Sequence, residues 1–307
     1  MAEVFRLDLN YLDKRLEGVV CCMGVFDGLH RGHQALIART VTEAARFGEK
    51  AAIITFGCDP EELFRADKLK KIMGNDQRIA ALAATDADYV AVLPFNKDFA
   101  ALAPRDFLAE AFGAATPCKL IVGPDFRFGC RAAGTVDTLK EWGSVHGMDL
   151  EPFDLLQYDV KPITATRIRG LLSEGRLDLA NELLGHRFSI EGVIESGRGE
   201  GGDMGFKTAN LSFDAMHHVL LDGVYAGYAT VEDATYKAAI SMGVSPTFAD
   251  RATSNCEVHL LQFEGDVYGA PMKVEFAQRL RPMIKFDSID ELIETVMRDI
   301  NWVAENL

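Results

Sequence analysis

Two histidines, His30 and His33, close the decapeptide Gly24-Val25-Phe26-Asp27-Gly28-Leu29-His30-Arg31-Gly32-His33. Imidazole N–H groups can stabilise charge growing on a phosphoryl group under attack. An apolar run from Gly18 to Met23 leads into the decapeptide, and an amphipathic run with Leu36, Ile37, Val41, Ala44 and Ala45 follows it. That order reads as strand, glycine turn, helix. It sets both histidines where the turn feeds a helix N-terminus, whose unpaired N–H groups and dipole draw phosphate. Gly32 lets the backbone come close. Attack on the α-phosphorus of a nucleoside triphosphate is the chemistry this suits. The plain alternative is a histidine pair at a solvated helix start; the strand and the Gly-Val-Phe-Asp-Gly turn weigh against it.

Further candidates lie downstream. After the apolar run Lys119–Val122 comes Gly123-Pro124-Asp125-Phe126-Arg127-Phe128-Gly129. Aromatic faces interleaved with an acceptor (Asp125) and a donor (Arg127) could hold a flat heteroaromatic ring, or simply cap the core. Ile163-Thr164-Ala165-Thr166-Arg167-Ile168-Arg169 opens a helix that stops near Gly175. Thr164 or Thr166 could cap that helix, or join Arg167 and Arg169 in a phosphate clamp for a departing pyrophosphate. In the second half, Gly197, Gly199, Gly201 and Gly202 make a loop whose amides could wrap a phosphate, with Gly205 and Lys207-Thr208-Ala209-Asn210 after it. Thr208 and Asn210 offer neutral oxygens two residues apart, on one side of an extended segment, a donor set suited to Mg²⁺. Glu257 starts a later strand, where it is either a base for an attacking hydroxyl or an exposed strand-end carboxylate.

The elements that must position these residues fall into two textures. Up to about residue 170, apolar strands (Val19–Met23, Ala51–Phe56, Tyr89–Leu93, Lys119–Gly123) alternate with helical patterns (Gln34–Phe47, Gln77–Ala84, Pro104–Phe112). This predicts α/β architecture, a Rossmann-like parallel sheet covered on both faces, with ligands beyond the carboxyl ends of the strands. The motifs after Met23, Phe56 and Val122 should then meet at one crevice. Beyond about residue 187, short alternating strands predict a small antiparallel β-barrel, closed by a C-terminal helix over Ser288–Trp302 with Ser288 as N-cap and Glu291 as its partner. The expected domains are 1–186 and 187–307.

Composition narrows the class. Of 307 residues, 48% are hydrophobic and 25% charged, as in an ordinary globular enzyme. A formal charge of −14 argues against a nucleic-acid binder or an anionic-membrane partner, though not against a local phosphate pocket. Six cysteines are scattered without a Cys-x-x-Cys pair, the N-terminus lacks a signal-peptide plan, and no apolar run is long enough to span a bilayer. A cytoplasmic location without membrane partners is the expectation.

The His-x-Gly-His spacing resembles the signature of the nucleotidyltransferase superfamily. Together with Thr55-Phe56 followed by Pro60, Val122–Gly129 with Gly134-Thr135, and Thr164–Arg169, it resembles the bacterial bifunctional riboflavin kinase/FAD synthetase family. In the second half Thr208-Ala209-Asn210, Gly223-Val224-Tyr225, Gly243, Pro246-Thr247-Phe248, Glu257-Val258-His259, Tyr268-Gly269 and Leu280-Arg281 carry the same resemblance. It implies an N-terminal nucleotidyltransferase domain that adenylylates FMN with ATP, and a barrel that phosphorylates riboflavin with ATP and Mg²⁺. By resemblance Gly24, Phe26, Asp27, Gly28, His30, Gly32 and His33 bind ATP, completed by Thr164, Thr166 and Arg167. Asp125, Phe126, Arg127 and Phe128 would hold the flavin. On the barrel, Gly197, Gly199, Gly205, Thr208 and Asn210 would bind ATP, Thr208 and Asn210 would hold the metal, and Glu257 would be the base toward the ribityl hydroxyl.

The sequence also departs from the family pattern. Cys58-Asp59-Pro60 stands where Pro-His-Pro is common, and Ala165 where serine is usual. Lys207 replaces a proline, Gly202 and Ser245 replace arginines, and Gln262 an aspartate. These changes motivate an alternative, an FMN adenylyltransferase whose barrel binds flavin with weakened kinase activity. A flavin-sensing regulator without turnover is disfavoured by the joint retention of His30, His33, Thr208, Asn210 and Glu257. A nucleotidyltransferase for another phosphorylated alcohol leaves the barrel unexplained.

Overall fold

The structure is a computed structural model that describes residues 1–7, 13–65, 69–112, 115–195, 208–214, 216, 219–243 and 255–307. The chain divides into two compact units, Met1–Leu69 with Asn75–Thr164, and Lys70–Gly74 with Ala165–Leu307.

The first unit is built on six strands: β1 (Glu3–Arg6), β2 (Val20–Met23), β3 (Ala51–Phe56), β4 (Tyr89–Leu93), β5 (Lys119–Val122) and β6 (Asp149–Pro152). They form one parallel sheet in the order β1-β4-β3-β2-β5-β6. Strands β2 and β3 are buried along their whole length, and alternate residues serve opposite faces. Cys21, Met23, Ala52 and Ile54 pack toward Phe107, Phe112 and Leu139 of helices spanning Pro104–Phe112 and Val136–His146. Val20, Cys22, Ala51 and Ile53 pack toward Leu36, Ile37 and Ala44 of α1 (Arg31–Phe47) and Leu82 of α2 (Asn75–Ala83). Two-sided burial is why these strands are continuous apolar runs. Removing one such side chain, as in Ile37→Ala, costs about 2–5 kcal/mol.

The edge strands β1 and β6 are absent from the sequence reading. Only Phe5 is buried in β1, and β6 is half-exposed and polar, so neither carries a periodic apolar signal. The chain order places β3 on one side of β2 and β5 on the other. The sheet therefore switches direction between β2 and β5, and the crevice above that switch is where such sheets bind ligands. The segments after β3, β2 and β5 leave three adjacent strands at the same edge, as the alternation predicts.

In the second unit, α3 (Ala165–Ser173) ends near Gly175 in left-handed backbone, and α4 (Leu177–Leu184) follows. Six antiparallel strands then close a barrel: β7 (Phe188–Glu195), β8 (Ala209–Ser212), β9 (Gly223–Val231), β10 (Ala234–Gly243), β11 (Asn255–Leu260) and β12 (Pro271–Arg281). The order around it is β8-β11-β10-β9-β12-β7. Val258, Ile240, Tyr225, Val274 and Ile190 are buried and fill its interior. The terminal helix α5 (Ile289–Asn306) starts at Ser288, whose hydroxyl accepts the Glu291 N–H at 3.2 Å. The Glu291 carboxylate accepts from Asp287 N, one residue before the cap. Among the described residues no helix is long and apolar enough to cross a membrane, and all six cysteines are free thiols.

Candidate active sites

Helix α1 starts at Arg31, three residues earlier than the sequence pattern suggests, with His30 as its N-cap. His30 is buried, and its Nδ1 accepts the His33 N–H at 3.3 Å. An accepting Nδ1 leaves the proton of a neutral ring on Nε2. The two imidazoles stack with centroids 3.5 Å apart, and the Phe26 ring meets His33 edge-on at 5.2 Å. His33 Nδ1 is buried without a hydrogen-bond partner among the described residues. Burial first, and then His30, holds His33 well below the ordinary imidazole range. At neutral pH His33 is therefore a neutral hydrogen-bonding group.

The loop before the helix is tightly held. Phe26 is buried and left-handed (φ +61°), and its ring lies 3.3 Å from where a Gly24 Cβ would be. Asp27 and Gly28 are buried in a single 3₁₀ turn. At Gly32 a Cβ would stand 3.1 Å from His30 Nδ1 and 3.4 Å from the Ile163 carbonyl oxygen. A side chain at this position would need His30 to give by a few tenths of an ångström, and the chain just before Thr164 is brought against the start of α1. Thr164 directly precedes α3; Thr166 and Arg167 lie in its first turn.

After β5, a turn closed by Phe126 N–H to the Gly123 carbonyl (3.1 Å) leaves Asp125 and Arg127 exposed and Phe126 half-buried. Phe128 is buried against Phe107, with centroids 5.4 Å apart, and over Gly134, where a Cβ would lie 2.7 Å from its ring. Its faces are already covered by protein. Phe126, stacked on Phe128 at 5.9 Å, is the aromatic residue that remains partly open.

Sequence reasoning missed Arg78. Its guanidinium is 1% exposed and donates to the Val25 carbonyl, Thr55 Oγ1 and the Phe56 carbonyl at 2.9, 2.5 and 2.7 Å. The only early signal was an arginine on the apolar side of a helix, a position more often read as solvated.

On the barrel, Asn210 of β8 is the register partner of Glu257 of β11. Ala209, Leu211, Cys256 and Val258 are buried, while Thr208, Asn210 and Glu257 are half-buried on the outer side. Asn210 and Glu257 thus share the barrel's outer face, since directly opposed residues project to the same side. The row continues to Ser241 on β10 and to Glu195 on β7. Gly197, Gly199, Gly205, Gly202, Lys207, Ser245 and Pro246-Thr247-Phe248 lie outside the described residues. Gln262 is described: exposed and left-handed just after β11. Tyr225 is core, its hydroxyl donating to the Leu221 carbonyl and its pKa pushed up to about 12 by burial.

A helix start carrying two stacked histidines at the switch point of a parallel sheet, followed by a closed barrel with an amide–carboxylate pair on its wall, is the arrangement expected of a two-unit nucleotide-dependent transferase. The FAD synthetase family model matches residues 12–167, and the riboflavin kinase family model matches residues 184–307. The bifunctional riboflavin kinase/FMN adenylyltransferase of Escherichia coli (strain K12) is 32% identical over 92% of this chain and 91% of its own length. Its Pseudomonas fluorescens counterpart is 31% identical over 95% and 94%. The chain belongs to the bifunctional riboflavin kinase/FMN adenylyltransferase family. A crystal structure titled macrolide-efflux protein, from Streptococcus pneumoniae, superposes over 99% of both chains with a TM-score of 0.87 and 26% identity.

Proposed function

We propose that this chain phosphorylates riboflavin to FMN on the barrel and adenylylates FMN to FAD on the parallel sheet, each with ATP. One observation carries the reading: a single chain holds both family matches, and each covers one of the two constellations described above. The adenylyltransferase domain is assigned to residues 1–186 and the kinase domain to 187–307, a boundary that falls close to where the second match begins.

In the first domain an FMN phosphate oxygen attacks the α-phosphorus of ATP, the bond to the β-phosphate oxygen breaks, and pyrophosphate leaves. His30 and His33 donate to phosphate oxygens whose charge grows during attack. Gly24, Gly28 and Gly32 give the nucleotide close access to backbone, and the buried Phe26 and Asp27 contribute through their main chain. Thr164, Thr166 and Arg167 are assigned to the nucleotide by their place in the family motif, the Arg167 guanidinium being suited to a departing pyrophosphate. Asp125, Phe126 and Arg127 hold the isoalloxazine, with Phe128 as their support from the core.

On the barrel the ribityl hydroxyl attacks the γ-phosphorus, its proton passes to the Glu257 carboxylate, and ADP leaves. Thr208 and Asn210 are hard oxygen donors that fit Mg²⁺, which when bound neutralises phosphate charge. Gly197, Gly199 and Gly205 are assigned to the ATP phosphates by their place in the family motif.

Chromatography of products from riboflavin and from FMN, each with ATP and Mg²⁺, tests the reading. FMN and ADP are expected from the first, and FAD with pyrophosphate from either. Absence of FMN from riboflavin overturns the kinase assignment. Changing His30 and His33 to alanine should abolish FAD and spare FMN; loss of both products defeats the two-site picture.

A further inference from the structure

Arg78 is among the largest fully buried side chains of the described residues, and the reaction scheme above does not use it. From α2 its Nη1 reaches the Val25 carbonyl at 2.9 Å and Thr55 Oγ1 at 2.5 Å. Its Nη2 reaches the Phe56 carbonyl at 2.7 Å and Asn75 Oδ1 at 3.3 Å. One rigid planar fork therefore spans the loop after β2 and the end of β3, which are neighbours in the sheet. For packing alone, an apolar side chain of similar volume would serve as well or better, because a buried guanidinium must first be desolvated. What arginine adds is direction.

That direction has a consequence one bond away. The Val25–Phe26 peptide is trans and planar, so a carbonyl turned toward Arg78 turns the Phe26 N–H to the opposite side. No acceptor for that N–H is found among the described residues. Phe26 also holds left-handed backbone, which a non-glycine residue keeps only when its surroundings hold it there. The buried fork is the nearest strong restraint on this peptide, and Thr55 Oγ1 adds a long contact of 3.4 Å to the same carbonyl.

We propose that Arg78 is a positioning residue for adenylyl transfer: by gripping the Val25 carbonyl it presents the Phe26 N–H to an ATP phosphate. The inference rests on the assignment of Gly24–His33 to the nucleotide phosphates.

The test uses the full chain, with kcat and the KM for ATP measured in FMN adenylylation and riboflavin phosphorylation measured on the same preparation. In Arg78→Met, kcat/KM for ATP in FAD formation should fall about 100-fold, as expected for misplaced contacts. Its KM for ATP should rise, while riboflavin phosphorylation keeps the wild-type rate. Arg78→Lys should recover only part of the loss, because an ammonium lacks the planar fork. Partial unfolding lowers the number of competent sites without moving KM, so the KM for ATP in Arg78→Lys decides the matter even if the methionine variant folds poorly. An active wild type with an unchanged KM for ATP in both variants overturns the inference alone. A wild type that makes no FAD overturns the underlying reading and the inference with it.

Discussion

Asn210 and Glu257 stand directly opposite each other on adjacent antiparallel strands of the barrel, with buried neighbours on either side in each strand. A one-residue slip of β8 against β11 would turn Asn210 into the hydrophobic interior and separate the pair. The proposed metal donor and the proposed base are therefore placed by the same register that closes the barrel. Glu257→Gln keeps the shape and removes the proton acceptor. We expect riboflavin phosphorylation to fall by about 10²–10⁴-fold, with FMN adenylylation unaffected. Separate assays of the two products check this; comparable losses in both would contradict it.

The stacked histidines give stability a pH dependence. His33 is held below its ordinary value of 6.5, chiefly by burial. Below that pH the unfolded chain takes up a proton that the folded chain refuses, so stability falls as pH drops through the unfolded value. His33→Asn should flatten the melting-temperature profile of the ligand-free protein between about pH 7 and 5. Parallel profiles for the two proteins would show that the ring is not the group responsible.

A second pH effect belongs to the amino end of the sheet. Lys119 lies 2.7 Å from Glu43 and 2.5 Å from Glu151, and Arg46 reaches Glu43 at 2.7 Å. The Lys119 and Arg46 hydrogen bonds hold the Glu43 carboxyl down at about 2, against an ordinary 4.5. This contribution is present above 4.5 and is lost as pH falls toward 2. Acid unfolding of Glu43→Gln should therefore show a weaker pH dependence in that window. The variant is also expected to melt lower at pH 7, because Lys119 loses a buried partner.

Val160 offers a gain. It sits at the tip of a two-residue hairpin between Gln157–Tyr158 and Lys161–Pro162, with φ of +51° at Asp159 and +54° at Val160. Both signs are positive, as a type I′ turn demands, and its second position favours glycine. Val160 is almost fully exposed, so it gives up no burial in return. Val160→Gly should stabilise by about 1 kcal/mol, read as a higher melting temperature. A lower value would mean that the branched side chain has a role the turn geometry does not reveal.

Much of this was legible from local pattern. The apolar runs of β2 to β5, the amphipathic faces of α1 and the Ser288 cap are all encoded over a few residues, where period and capping chemistry act. The helix start fell short by three residues because Arg31, Gly32 and His33 carry no apolar signal. The edge strands β1 and β6 stayed hidden because a strand buried on little of its surface has no need of an apolar run. The burial of Phe128 beside a half-buried Phe126 is not legible either, because composition cannot tell which aromatic ring the core covers.

By itself the sequence determined which chemistry-bearing residues exist and which elements carry them: histidines at a helix start, oxygen donors two apart, a glutamate on a strand. Tertiary structure alone decided the order of the strands, the stacking of His30 on His33, the pairing of Asn210 with Glu257, and the burial of Arg78 beneath the Gly24–Phe26 loop. The physical reason is range. Periodicity and caps are settled by neighbours in the chain, whereas register, desolvation and the aim of a buried donor depend on groups tens of residues away.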